Sequence, residues 1–584
     1  MRKRSRRFGL LAILVFSIGC GLSLAWAASA GEDAAPAKPA DLIVRNAHIY
    51  TVNSKQPWAE ALAVSGDHLV AVGSEKEIAA FRGPSTRVID AGGRLVMPGI
   101  TDPHTHFTSG SRSLSQINLN GANTVEEIGR RVREFAARHP GDGWLLGRGW
   151  LYSTFGAEAL PHREALDAII ADRPVVLTAY DGHTSWANTK ALAMAGITRD
   201  TASPPNGIVV HDAKTGEPTG TLKEAAQQLV RKAVPAPSRE ETMAAFRQGI
   251  AHANRLGVVG LHTLGGDQGI LEMLDEIRRS GGLSLRMYVA YWAAPPEMTP
   301  AMFEDAERDR SRYNDEWLST NLVKFVLDGV IESHTAAMLE PYSDDPTLIG
   351  RTFWSPEKYK AAVAEFDRRG FIVTSHAIGD AAIRLALDAY EAANRANGTK
   401  DSRMRIEHIE DVSAADIPRF GKLGVIASMQ PLHAMPDDNG LNVWARNVGP
   451  ERVNRAFAWH SIAAAGGRVV HGSDWPVVTL NPWEGMQIAV TRETPQGTPA
   501  GGWIPGERLT LEQAVQGYTL GPAYAGRREK TQGSLEAGKL ADLILVSQDI
   551  FKVETRSIGK TEVLLTMVGG KIVYTAPAFT AEAH

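Results

Sequence analysis

Eight short apolar runs, separated by mostly helix-like stretches, limit this chain more than any other feature. They are Leu95–Ile100, Val258–Leu264, Ser284–Tyr291, Leu322–Leu327, Phe371–Thr374, Arg405–Ile409, Val425–Met429 and Arg468–Val470. Short apolar runs bounded by turn residues read as strands buried on both faces, and strands that alternate with helices pair in parallel. Eight such units predict a closed (β/α)8 TIM barrel. The helix over 381–393 is the clearest, because Ile383, Leu387 and Tyr390 fall at i, i+4 and i+7 and Asp380 stands where a cap is expected. The long interval between the first two runs calls for an insert.

The two ends of the chain share another pattern. Short strand-like runs fill 41–98, and similar ones return at Leu543–Val546, Val563–Leu565 and Lys571–Tyr574. The ends are expected to pair into one small β domain. The expected order is 41–98 for its first part, 99–110 for the start of the barrel and 111–250 for an insert and the return to the barrel. The rest of the barrel then takes 251–500, and 501–584 holds the last helices and the second part of the β domain.

Residues 1–30 read as an export signal. Arg2, Lys3, Arg4, Arg6 and Arg7 precede an apolar stretch that ends in Ala28-Ser29-Ala30. The alternative is a membrane anchor, but glycines interrupt the stretch and small residues end it. Ser5-Arg6-Arg7 adds a hint of the twin-arginine route beside the general secretory one. Cys20 would suit lipid anchoring, against which stands Ser17. The expected location is periplasmic or secreted, and 31–40 is a linker rich in Ala and Pro.

Loss of this segment removes five positive residues and no negative one, so the formal charge moves from −4 to −9. An acidic body disfavours nucleic acid. The sole cysteine leaves too, so a metal site in the mature chain must use nitrogen and oxygen. No stable membrane span is expected in that chain, and a homodimer is allowed.

Candidate chemistry collects at the expected C-terminal ends of the strands, where such barrels hold their active sites. His104-X-His106 puts two imidazoles on one side of an extended segment. His376, His408 and Asp474 each follow or end a strand, and Lys324 is a lysine flanked by apolar residues on a central one. A single strand-end histidine is more often structural. A buried lysine costs several kcal/mol unless paired or neutralised. Together these residues point to a divalent cation.

The same residues, in the same order, resemble the metal-ligand series of the amidohydrolase superfamily. Neighbouring words are similar to its amidohydrolase-3, or YtcJ-like, branch, which includes enzymes cleaving N-substituted formamides. They are Asp181-Gly-His183-Thr-Ser-Trp186-Ala-Asn188, Pro218-Thr-Gly-Thr-Leu-Lys-Glu224, Ser375-His-Ala-Ile-Gly-Asp380, His471-Gly-Ser-Asp474-Trp-Pro476 and Gly533-Ser-Leu-Glu-Ala-Gly538-Lys-Leu-Ala-Asp542. The resemblance implies a barrel with a β-sandwich made from both chain ends. It implies one or two divalent ions, zinc by default. His104, His106 and Asp474 would hold one, His376 and His408 the other, with a carboxylated Lys324 between. It also implies hydrolysis of a small-molecule amide by metal-activated hydroxide, with Asp474 carrying the proton. Expected substrate contacts are His183, Trp186, Asn188, Asp328, Gln430 and His433. The run Val330-Ile-Glu332-Ser-His334 departs from the branch pattern, which bears on the substrate and not on the metal. An ester, lactone or cyclic amide is the alternative substrate, and a retired enzyme serving as a binding protein the alternative role.

Gly533-X4-Gly538-Lys539-Leu540 nearly spells a phosphate loop, but Leu540 offers no hydroxyl for magnesium. It is expected to be a turn into the last β domain.

Overall fold

Eight parallel strands lie in chain order around a nearly closed barrel. They are β1 Ile100–Thr105, β2 Val258–Thr263, β3 Arg286–Trp292, β4 Leu318–Val326, β5 Ile372–Ala377, β6 Arg405–His408, β7 Ile426–Met429 and β8 Arg468–His471. The computed structural model describes residues 38–577 and 579, apart from 159, 266–268 and 399–400. The expected signal, Cys20 and most of the linker lie outside the described residues. Among those residues, no helix is long and apolar enough to cross a membrane.

The fold class expected from the alternating pattern is the one observed. Parallel strands need crossovers, and helices such as Arg239–Arg255, Pro356–Arg368 and Asp380–Asn397 provide them. Arg239–Arg255 starts at a capping box, in which Ser238 and Glu241 each bond the other's backbone N–H.

The first apolar run needs correction. Leu95–Ile100 is not one strand. Leu95–Pro98 belongs to a sheet at the chain ends, between His48–Tyr50 and Leu543–Val546. The chain then turns at Gly99 into β1. Any larger residue would be crowded there, since an added Cβ would stand 2.3 Å from Val259 Cγ1. The apolar run hid the boundary because both strands are fully buried.

Two terminal sheets face each other. One has the order His68–Gly73, Ala61–Ser65, Leu42–Arg45, Arg87–Asp90. The other has the order Lys571–Thr575, Val563–Val568, Leu543–Val546, Leu95–Pro98, His48–Tyr50, Trp58–Ala59. Leu42, Val44 and Leu62 from the first pack in one core with Val96, Leu543 and Met567 from the second. The β-sandwich thus draws on both ends. Arg286 on β3 ties it to the barrel through Asp542, with Nε 2.6 Å from Oδ2 and Nη2 2.9 Å from Oδ1.

Between β1 and β2 an insert forms a six-stranded sheet around its own core of Trp150, Tyr152, Leu177 and Trp186. A second expectation fails in detail at the helix Asp380–Asn397. Its N-cap is Gly379, and Asp380 instead accepts from the Leu339 N–H at 2.8 Å. The near-phosphate loop is a turn, where Lys539 Nζ donates to Glu529 O and Ser534 Oγ.

Candidate metal centre

The barrel closes at the site itself. The Asp474 N–H donates to the His104 carbonyl at 2.7 Å, and the His106 N–H donates to Trp475 O at 2.7 Å. Beneath them Asp102 accepts from the backbone N–H of His104 at 3.0 Å and of Ser473 at 3.0 Å. Burial pushes the Asp102 carboxyl up to about 7 against these donors. Gly472 is needed where β8 passes β1, because a Cβ there would lie 2.8 Å from Asp102 Oδ1. These contacts lock the end of β1 to the end of β8 and bring three side chains together.

His104, His408 and Asp474 each offer one atom within 4.8 Å of the others, and all three are buried. His104 Nε2 is 3.4 Å from Asp474 Oδ1, His106 Nε2 is 3.0 Å from the same oxygen, and His408 Nδ1 is 3.9 Å from Oδ2. The His376 ring centroid lies 4.4 Å from that of His408. His376 Nε2 donates to Gly329 O at 3.1 Å. Lys324 is 2% exposed, and its amine makes no hydrogen bond among the described residues.

Two donors sit on strained backbone. His408 has φ +75° and Asp474 φ +61°, in the region that side chains usually avoid. Neighbouring residues of a strand face opposite ways. The left-handed turn at His408 lets it and Glu407 serve the same centre.

Sequence reasoning overlooked Glu407. Its Oε2 lies 2.6 Å from His104 Nδ1, Arg405 Nε lies 2.7 Å from Oε1, and Thr374 Oγ1 donates to that oxygen too. Burial opposes its charge, but Arg405, His104 and Lys324 outweigh it and hold the carboxyl below the usual carboxylate range. A charged residue within an apolar strand was the available signal, the same one that drew attention to Lys324.

Electrostatics favour neutral imidazoles at His104, His376 and His408 and bring the Lys324 amine closer to neutrality. Burial, helped by the Lys324 charge, lowers His104 to about 4, and burial takes His376 and His408 well below their ordinary value. Burial also brings Lys324 down to about 8, against the pull of Glu407 and Asp474. For Asp474 burial is overcome by His104, His106 and His433, which keep it ionised. Four polar atoms here, His104 Nε2, His408 Nδ1, His433 Nε2 and Asp474 Oδ1, are buried and have no hydrogen-bond partner among the described residues. Buried polar atoms are rarely left so. A divalent cation satisfies nitrogen lone pairs and a carboxylate at once, so the donor set fits one.

The other expected contacts divide. His183 and His433 line a cavity of about 700 Å3 together with His106, Lys324, His376, His408 and Asp474. His183 Nδ1 is 2.8 Å from Glu224 Oε2. Burial lowers its pKa, but Glu224 and Asp181 raise it more, to about 9. His433 bridges Glu410 Oε1 at 3.3 Å and Asp474 Oδ2 at 3.6 Å. Gln430 sits behind His104, its Nε2 3.5 Å from Nδ1.

Gln430 and three more of the expected contacts do not line this cavity. Trp186 is fully buried in the insert, where its Nε1 donates to His162 O. Asn188 caps the helix Thr189–Met194, and its Nδ2 donates to Ile170 O and Arg173 O. Asp328 accepts from the N–H groups of Ala337, Ile378 and Gly379, organising the turns after β4 and β5. These residues hold the walls in place; buried polar groups so fully bonded have nothing left for a ligand.

Comparison with known proteins agrees with this geometry. The sequence profile of the amidohydrolase family matches residues 87–574. "Protein LONG AFTER FAR-RED 3" of Arabidopsis thaliana is 33% identical over 542 residues, 92% of each chain. "N-substituted formamide deformylase" of Arthrobacter pascens is 28% identical over 543 residues, covering 91% of this chain and 98% of the relative. The crystal structure of an uncharacterized metal-dependent hydrolase from Pyrococcus horikoshii superposes with a TM-score of 0.68 at 25% identity, covering 88% of this chain and 99% of that one.

Proposed function

Because this chain belongs to the amidohydrolase family, we propose that it is an exported metal-dependent hydrolase of a small-molecule amide, N-acyl or N-formyl. The observation that carries the reading is the convergence of unpartnered buried donors on one point, His104 Nε2, His408 Nδ1 and Asp474 Oδ1. The carbon–nitrogen bond is supported by the deformylase among the relatives.

His104, His106 and Asp474 would hold one cation and His376 and His408 a second, with Lys324, as its carbamate, between them. Zinc is the expected metal. When bound, such a cation supplies Lewis acidity that makes water acidic enough to attack near neutral pH and polarises the carbonyl.

The chain's own groups do the rest. Glu407 fixes the His104 ring so that Nε2, not Nδ1, faces the centre. Burial lowers the Lys324 pKa, which favours the neutral amine that carbamate formation requires. Asp474, held ionised, is positioned to take the proton of the attacking water and pass it to the leaving nitrogen. His433 Nε2, 3.6 Å from Oδ2, supports that carboxylate. His183, charged beside Glu224, offers a donor on the cavity wall for the substrate.

A panel of N-formyl amines, N-acyl amino acids and lactones, given to zinc-loaded protein, tests the reading. Turnover is expected on the amides. Faster turnover of lactones, or tight binding without turnover, would overturn it. Mass spectrometry of protein recovered from the medium or periplasm tests export, since the mature chain should start near residue 31.

A further inference from the structure

The cavity wall carries a carboxylate to which the chemistry above assigns no task. Glu332 lies beyond the end of β4, lines the cavity and is 7% exposed. The Tyr180 hydroxyl donates to its Oε1, and Asn439 Nδ2 lies 3.3 Å from the same oxygen. No other side chain donates to the Glu332 carboxylate among the described residues. Asn439 is 4% exposed, and its carbonyl Oδ1 is buried without a hydrogen-bond partner among the described residues. Two acceptors side by side therefore have capacity to spare.

Nothing cationic answers them. Lys324 is the one lysine among the described residues that line the cavity, and no arginine lines it. The other acids of the wall are matched. Glu224 has His183 at 2.8 Å, Glu410 has His433 at 3.3 Å, and Asp181 takes the Tyr152 hydroxyl at 2.8 Å and lies beside the charged His183. Glu332 alone of these four has only uncharged partners. Burial, with Glu410 and Asp181 nearby, pushes its pKa up to about 8. A buried carboxylate so placed gains most from a cationic donor. The wall of the same cavity also includes Trp292, Val330 and Phe353, which suit a short hydrocarbon chain.

We propose that Glu332, with Asn439 and Tyr180, receives a protonated amine of the substrate. The amide hydrolysed then belongs to a molecule with a second, free amine, such as a mono-N-formylated or mono-N-acylated diamine. This rests on the amide-hydrolase reading and narrows its substrate class. Glu332 falls where the sequence leaves its branch pattern.

Two formamides of similar length test it on the zinc-loaded full chain: N-formyl-1,5-diaminopentane, which carries a cation, and N-formylhexylamine, which does not. The wild type is expected to favour the cationic amide in kcat/KM by about tenfold or more, and Glu332→Gln to lose that preference. Glu332→Asp, which retains the charge, should keep part of it. Equal rates in the wild type, an unchanged ratio in Glu332→Gln, or identical behaviour of both variants would overturn the proposal. If neither formamide is hydrolysed, the amide reading fails, and calorimetry with 1,5-diaminopentane still decides the subsite. Binding weakened about tenfold by Glu332→Gln supports it. Binding equal in both proteins, or none in the wild type, overturns it.

Discussion

His104 Nδ1 and Glu407 Oε2 lie 2.6 Å apart, and neither side chain is exposed to solvent. The carboxylate fixes which ring nitrogen carries the proton and leaves Nε2 free. Glu407→Gln removes the charge and keeps the shape. It is expected to weaken metal binding by about 10- to 100-fold, read by competition with a chelator. Unchanged affinity would mean that Glu407 only fills space.

Lys324 is the residue whose replacement separates a bridged pair of ions from a single one. Lys324→Ala is expected to lose one of two bound ions, together with most of the activity. Metal analysis of purified protein counts them. Full metal content with full rate would exclude a bridging role.

Asp474 is assigned two tasks, holding a cation and moving a proton, whereas His106 has one. Asp474→Asn is therefore expected to lower kcat by about a hundred- to ten-thousandfold. His106→Ala should lose less once metal is in excess. A steady-state comparison at saturating zinc ranks the two, and the reverse order would remove the proton-carrying role.

The Arg286–Asp542 pair joins barrel and sandwich, with side chains 2% and 7% exposed. Arg286 also stacks on Trp317, its guanidinium carbon 4.6 Å from the ring centre. Asp542→Ala would leave a buried guanidinium unmatched, at a cost of about 3–5 kcal/mol. Denaturant unfolding measures it, and a loss below about 1 kcal/mol would show that water reaches the pair.

Asp411 gives the fold a pH dependence of definite sign. Both of its carboxylate oxygens are buried without a hydrogen-bond partner among the described residues, and Arg455 Nε is 3.7 Å away. Burial, with Asp380 nearby, raises its pKa from 3.8 to about 7. Between those values the folded chain keeps a proton that the unfolded chain has released, so stability falls as pH rises through that window. Asp411→Asn abolishes the titration. Its Tm should exceed that of the wild type by more at about pH 8 than at about pH 4.5. An equal difference at both would show that Asp411 is already ionised in the fold.

The barrel was legible because a strand buried on both faces must be apolar throughout, and eight such runs have few other uses. Lys324, His376, His408 and Asp474 stood out because each interrupts or ends such a run. Other features depend on contacts between distant parts of the chain. The division of Leu95–Ile100 between two sheets rests on pairing with Leu543–Val546. Glu407 takes its meaning from His104, 303 positions earlier. Trp186 and Asn188 lie in a word that resembles the family's, yet one fills a core and the other caps a helix. A shared word marks a shared local structure, and only some of its letters reach the ligand.

The strand Leu95–Pro98, held between His48–Tyr50 and Leu543–Val546, sets an order on biosynthesis. Its second neighbour leaves the ribosome only after the whole barrel has been made. Until then the N-terminal strands present an unfilled edge, ready to pair with any passing chain. Premature termination anywhere in the barrel would thus leave a nascent product that aggregates, so chaperone protection must last until Leu543–Val546 has emerged.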